Sequence, residues 1–144
     1  MNERIDFNDI PKTYLYCTYK QCPRHNKCLR YQSSLVIPQK LPYYTTVNPL
    51  HIAGNGTDCT FFSPYQTMRF ATGMDHLLDD IPHGVAVIIR QEIYSLMGRS
   101  MYYRTRNKER LLHPKEQEQI AAIFAKHGIK TKPVFDEYID KFDW

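Results

Sequence analysis

Four cysteines constrain this chain more than any other feature, because all of them lie within its first 59 residues. They are Cys17, Cys22, Cys28 and Cys59. Four and five residues separate the first three, and thirty more precede the last. Three neighbouring thiolates completed by a distant fourth can build a tetrahedral all-sulfur site. We therefore expect the four cysteines to bind one metal ion or small metal cluster.

Disulfides and unpaired structural cysteines are the two alternatives to a metal. Disulfides need an oxidising compartment, and unpaired cysteines often act as small buried hydrophobic residues. Within the metal hypothesis Zn²⁺ is preferred. An iron–sulfur cluster is the alternative, because the five-residue spacing is wider than in common zinc sites and Cys22 is followed by Pro23. His25 or His51 could replace one thiolate.

Aromatic and basic residues flank the cysteines. The aromatic ones could keep water off the thiolates, and the basic ones could offset their negative charge. They are Tyr14, Tyr16, Tyr19, Tyr31, Phe61 and Phe62, with Lys20, Arg24, Lys27 and Arg30. Four thiolates leave no open coordination position, so the predicted site is structural rather than catalytic.

Several short stretches carry a resemblance to a known family. They are residues 17–31, 47–49, 76–79, 102–104, 114–117 and 135–144, together with Cys59. In these stretches the chain resembles an uncharacterised bacterial family of short four-cysteine proteins, a domain of unknown function. The resemblance implies that residues 1–144 form a single unit, and it implies no activity or ligand. His113 departs from the Ser or Thr of that family, which predicts a weaker start for the following helix by about 1 kcal/mol.

The chain divides into a loop-rich, cysteine-containing region, residues 1–63, and a helical region, residues 64–144. Apolar spacing and flanking Pro or Gly residues predict helices over residues 26–35, 75–81, 85–97, 114–127 and 134–142. Residues 65–71 fit a helix or a strand, Asn107-Lys108 fits a hairpin turn, and Asn55-Gly56 fits another turn. The expected fold is mainly α, with α+β as the alternative. It is a small helical single domain with an N-terminal four-cysteine metal knuckle and one β-hairpin.

Basic residues concentrate in one stretch. Residues 99–132 hold nine Lys or Arg against three acidic residues, whereas residues 133–144 hold one against four. This distribution predicts either an anionic partner, including nucleic acid, or neutralisation by the acidic end of the same chain. The candidate nucleic-acid contacts are Arg99, Tyr102, Tyr103, Arg104, Arg106, Lys108 and Arg110, since arginine grips phosphates and tyrosine stacks on bases.

Motifs of catalysis and of membrane insertion are missing from the sequence. Glycines are few and scattered, which leaves no phosphate-binding loop, and no motif for acyl transfer or a catalytic metal occurs. The longest apolar run, residues 85–89, is far shorter than the ~20 residues that span a bilayer. We expect a cytoplasmic binding or regulatory module that does not enter a membrane. An iron–sulfur redox or sensing protein is one alternative, and a small enzyme, for which the sequence offers no candidate residues, is another.

Overall fold

The computed structural model describes residues 4–54 and 58–144. Within these residues the helices are α1 (Leu29–Ser34), α2 (Pro49–Ala53), α3 (His83–Met97), α4 (Arg99–Arg106) and α5 (Pro114–Lys126). The strands are β1 (Leu15–Tyr16), β2 (Thr45–Thr46), β3 (Thr67–Thr72) and β4 (Glu137–Phe142). Short 3₁₀ turns cover Phe7–Asp9 and His25–Lys27.

Two compact units make up the described chain. The first runs up to Thr67 and includes Phe142–Trp144, and the second is Met68–Lys141. In the first unit β1 and β2 pair in parallel, with Leu15 opposite Thr45. Its main apolar cluster joins the buried side chains of Ile5, Ile10, Tyr14, Tyr16, Leu29 and Phe142.

The second unit packs its three longest helices and its strand pair around one apolar core. Strands β3 and β4 form a two-stranded sheet. Ala71, Ile89, Leu112 and Ile120 are completely buried in this core. Buried residues four positions apart, Ile89 and Ile93 on α3 and Ile120 and Phe124 on α5, give each helix one apolar stripe that faces the core. The helix predictions over 85–97 and 114–127 are confirmed, since α3 and α5 cover nearly the same residues.

The expectation of a mainly α fold is wrong. Of the described residues 38% are helical and 14% lie in strands, so the fold is a mixed α/β fold, with two small sheets in this part of the chain. Residues 65–71, which fitted either a helix or a strand, are largely strand β3. The metal knuckle that belonged to the same prediction is also not found. In the described ranges no three His, Cys, Asp or Glu side chains are grouped so that they could hold a metal ion.

The C-terminal helix predicted over residues 134–142 is strand β4 instead. Tyr138, Ile139 and Phe142 are aromatic or β-branched, and such residues prefer an extended backbone when a partner strand is present. A run of nine residues is short enough for both patterns to fit, and pairing with β3 decides between them.

The hairpin predicted at Asn107-Lys108 is the end of helix α4. Tyr102 and Thr105 of that helix are buried, which holds the segment in a helical conformation. Lys108 has a positive φ of 63°, so the chain does turn here, but after a helix rather than between strands. The helix predicted over 75–81 consists of turns, in which Asp79 and Ile81 donate to carbonyls three residues earlier. The turn predicted at Asn55-Gly56 lies outside the described residues.

His113 caps helix α5, contrary to the expected weakening. Its Nδ1 accepts a hydrogen bond from the Lys115 amide at 3.3 Å. The Glu116 carboxylate reaches back to the His113 amide at 3.4 Å, which completes a capping box. An imidazole nitrogen therefore takes the place of the hydroxyl usually found in this motif.

Membrane insertion was not expected from the sequence. None of the helices that the structure describes combines the length and the apolar character needed to cross a bilayer.

We predict that Gly73→Ala destabilises the protein more than Gly128→Ala. Both glycines have a positive φ, 82° and 78°, so alanine strains either backbone by about 1–2 kcal/mol. At Gly73 the added methyl group would also stand 2.7 Å from Cβ of Asp136, whereas nothing lies within 4 Å at Gly128. Urea unfolding should show an additional loss of roughly 2 kcal/mol for Gly73→Ala. Equal losses in the two variants would contradict the close packing of Asp136 on Gly73.

Candidate thiol site

Each cysteine is carried by a different local element of the first unit. Cys17 directly follows strand β1, and Cys28 is the N-cap residue of α1. Cys22 lies in the turns between them, and Cys59 lies in the loop that leads back towards α1. The four cysteines are therefore brought together by the path of the chain rather than by one regular element.

Consecutive turns fold residues 19–28 into a compact loop. The amide of Cys22 donates to the Tyr19 carbonyl at 3.4 Å, and that of His25 donates to the Cys22 carbonyl at 3.2 Å. The Cys28 amide then donates to the His25 carbonyl at 3.3 Å. Three successive turns bring cysteines that are several residues apart to the same side of the loop.

A short ladder joins the far cysteine segment to the near ones. The amide of Leu29 donates to the Ser63 carbonyl at 2.6 Å, and that of Tyr65 donates to the Lys27 carbonyl at 2.8 Å. These bonds flank an antiparallel bridge between Cys28 and Pro64. The loop that contains Cys59 is thereby tied to the start of α1.

All four cysteines line one cavity of about 20 Å³. Its other walls are mostly apolar or aromatic, and include Ile52, Tyr19, Phe61 and Phe62. Cys17 and Cys28 are buried, while Cys22 and Cys59 are partly exposed. The volume is close to that of a single water molecule, so the cavity suits one small occupant.

The four thiols are not arranged as a ready metal site. No described group of three metal-binding side chains meets the geometry for a metal ion, here or elsewhere. The predicted metal knuckle is therefore wrong for the described residues: the four thiols line one cavity but do not have the geometry of a metal site. The physical reason is that the cysteines come from separate turns and loops, whose side-chain torsions are not fixed by one tight motif.

The Cys17 thiol holds its proton more firmly than an ordinary thiol does. Burial raises the pKa of the Cys17 thiol, while a backbone hydrogen bond from Tyr19 opposes that rise. Negative charge on Cys28, Cys22 and Cys59 raises the pKa of Cys17 further, because each of them lies near the Cys17 thiol.

Arg30 is the polar residue that holds the cavity walls together. Its Nε donates to the Phe61 carbonyl and its Nη1 to the Leu15 carbonyl, both at 2.8 Å. Its own carbonyl accepts from the Cys17 amide at 3.2 Å. The guanidinium also lies 5.2 Å from the ring of Tyr14, whose pKa is raised to about 12 mainly by burial. The sequence identified Arg30 as a charge near the cysteines, but not as a link between strand β1 and the loop that contains Phe61.

One of the two histidines considered as substitute ligands, His25, lies at the cavity. His25 lines it, with Nδ1 2.7 Å from the Cys22 carbonyl oxygen and its ring packed edge-on against Tyr31. His51 is exposed on α2 and is not among the residues that line the cavity. Of the two histidines, the structure therefore brings only His25 to the thiols.

The basic stretch 99–110 is largely neutralised by carboxylates of its own unit. Arg106 pairs with Asp75 at 3.2 Å, Lys108 with Glu137 at 2.7 Å and Arg110 with Glu116 at 2.8 Å. The expected neutralisation by the acidic end is confirmed by the Lys108–Glu137 pair. Tyr102 is buried, and Arg99 and Arg104 make no ion pair with any described residue. Nucleic-acid binding stays a prediction, with Arg99 and Arg104 as its remaining free cations.

Comparison with known proteins gives a family and nothing more specific. The model of a family described as a family of unknown function, DUF6078, matches residues 1–144. The resemblance seen in the sequence is thereby confirmed as one to an uncharacterised family. No curated protein and no solved structure matches the chain.

We predict that Arg30→Lys destabilises the first unit and exposes its thiols. One ammonium group cannot donate to both the Leu15 and Phe61 carbonyls, so at least one is left unpaired, at a cost of about 1–3 kcal/mol. The free energy of unfolding in urea should fall, and the rate of thiol modification should rise. The matched control is Arg24→Lys: Arg24 lies 4.0 Å from the ring of Phe62, a contact that lysine also makes. Identical behaviour of the two variants would contradict the linking role of Arg30.

Proposed function

The chain belongs to the DUF6078 family of unknown function, and we propose from its own residues that its four cysteines bind one metal ion. This ion stabilises the first unit. The ion of choice is Zn²⁺. The ligands are Cys17, Cys22, Cys28 and Cys59, and the site is structural, because four thiolates leave no position for a substrate.

The observation that carries this proposal is the lining of one small cavity by all four thiols. A cavity of about 20 Å³ admits a single ion, and binding requires the cysteine side chains to rotate so that their sulfur atoms point at it. An iron–sulfur cluster is the alternative occupant. A cluster contains several iron and sulfide atoms and therefore requires more space than the cavity has. The small volume of the cavity favours the single ion.

Charge around the cavity supports a metal with thiolate ligands. A zinc ion with four thiolates carries two net negative charges. The guanidinium of Arg30 is hydrogen-bonded within the cavity wall, and that of Arg24 covers the ring of Phe62, which also lines the cavity. Such cations near a metal site stabilise its excess negative charge.

Free thiols are stable in a reducing compartment, and we place the protein in the cytoplasm on that ground. A protein of this kind acts as a binding or regulatory module, in which the metal adds to the stability that the apolar clusters of the first unit provide.

We predict one zinc per chain in protein purified without added metal, measured by elemental analysis. Cys59→Ser and Cys17→Ser should each lose the metal, and chelation should lower the melting temperature of the parent protein, because metal bound only to the folded state stabilises it. Colourless protein favours zinc, and visible absorption in anaerobically purified protein indicates the cluster instead.

Val47→Ala is the matched control for the cysteine variants. Val47 is 4% exposed and packs in the same apolar cluster as Cys17, so its truncation removes packing without removing a ligand. This variant should be less stable yet keep one metal per chain. A parent protein that holds no metal, and takes up none when refolded with Zn²⁺, would overturn the proposal.

A further inference from the structure

An open cleft of about 910 Å³ lies in the second unit, away from the cysteines in sequence. Its walls are α3, α4 and the turns of residues 74–81, and its base includes the buried residues Leu77, Ala86 and Ile93. Small-molecule sites are concave, have volumes of roughly 300–1,000 Å³ and combine an apolar base with a few polar groups. The cleft has this form.

Three tyrosines form one wall of the cleft. The ring centroid of Tyr102 lies 5.5 Å from that of Tyr94 and 5.4 Å from that of Tyr103. Tyr102 is only 8% exposed, yet its hydroxyl makes no hydrogen bond with any residue that the structure describes. A hydroxyl that lines a cleft and has no partner among the described residues is available to a ligand.

Arg90 is the cation of the cleft that has no acidic partner. Arg106 pairs with Asp75, and Asp79 lies 2.8 Å from His76. Arg90 also lines the cleft, and it makes no ion pair within residues 4–54 and 58–144. Its guanidinium is therefore available to an anion, and a guanidinium binds phosphate oxygens in a two-pronged geometry.

We propose that this cleft binds a nucleoside phosphate. Arg90 receives the phosphate, the tyrosine wall stacks against the base, and the Tyr102 hydroxyl donates to the ligand. The carboxylates of Asp75 and Asp79 face the same cleft and can accept hydrogen bonds from ribose hydroxyls, as carboxylates do in other nucleotide sites. Base, sugar and phosphate thus each have a matching group. The site is independent of the metal proposal, since none of its residues lines the thiol cavity.

The test is calorimetric titration of the full chain with adenosine monophosphate. Adenosine and inorganic phosphate, which each lack one half of that probe, should bind at least tenfold more weakly. Arg90→Gln should weaken binding of adenosine monophosphate at least tenfold, and Tyr102→Phe, which removes only the hydroxyl, should weaken it several-fold.

Arg104→Gln is the matched control, because Arg104 is an exposed, unpaired arginine of α4 that does not line the cleft. This variant should bind adenosine monophosphate as the parent does. The proposal is overturned if adenosine monophosphate does not bind at millimolar concentration, or if both arginine variants lose affinity equally. It is also overturned if a short RNA binds more tightly and depends on Arg104, since that result indicates a nucleic-acid surface.

Discussion

The two hydrogen bonds from the Arg30 guanidinium are the interaction on which the first unit depends. The loop-rich part of this chain has strands of only two residues, so regular ladders cannot satisfy many of its backbone groups. Arg30 supplies donors to the Leu15 and Phe61 carbonyls at once, which joins the approach to Cys17 to the loop beyond Cys59. A carbonyl left unpaired in such a place destabilises the fold, and one rigid, always charged group removes two of them.

The second unit uses a carboxylate in a comparable way. Asp136 accepts hydrogen bonds from the Asp75 and His76 amides, and its own amide donates to the Gly73 carbonyl. The turns of residues 74–81 are thereby fixed to the segment before β4, and they form one wall of the cleft. In both units, a single charged side chain positions a loop that then shapes a cavity.

Sequence patterns predicted the elements that are long and one-sided. Helices α3 and α5 have apolar stripes of several turns, and Pro114 and Gly98 mark their limits, so local information was sufficient. Strand β4 and helix α4 were assigned wrongly because each is short, and the choice between helix and strand depends on partners far along the chain. For β4 that partner is β3, and for α4 it is the core that receives Tyr102.

The same distinction between local patterns and distant contacts applies to the candidate sites. Cysteine spacing was enough to predict that four thiols approach one another, since the signal lies in the residue type itself. The linking role of Arg30 and the tyrosine wall were missed, because Arg30 acts on a carbonyl 31 residues away and Tyr94 meets Tyr102 only through the bend between α3 and α4. Gly98, with φ of 80°, makes that bend and was predicted only as the end of a helix.

Charge explains why the proposed thiol site would bind a cation. Burial and negative charge on the neighbouring cysteines raise the pKa of Cys17, so the protein alone favours the neutral thiol at that position. A divalent ion reverses that preference by replacing repulsion with attraction, and the displaced protons leave to solvent. Arg30 and Arg24 cannot do this alone, since their guanidinium groups are already engaged with carbonyls or an aromatic ring. In the proposed metal site they would offset only the charge that remains after the ion is bound.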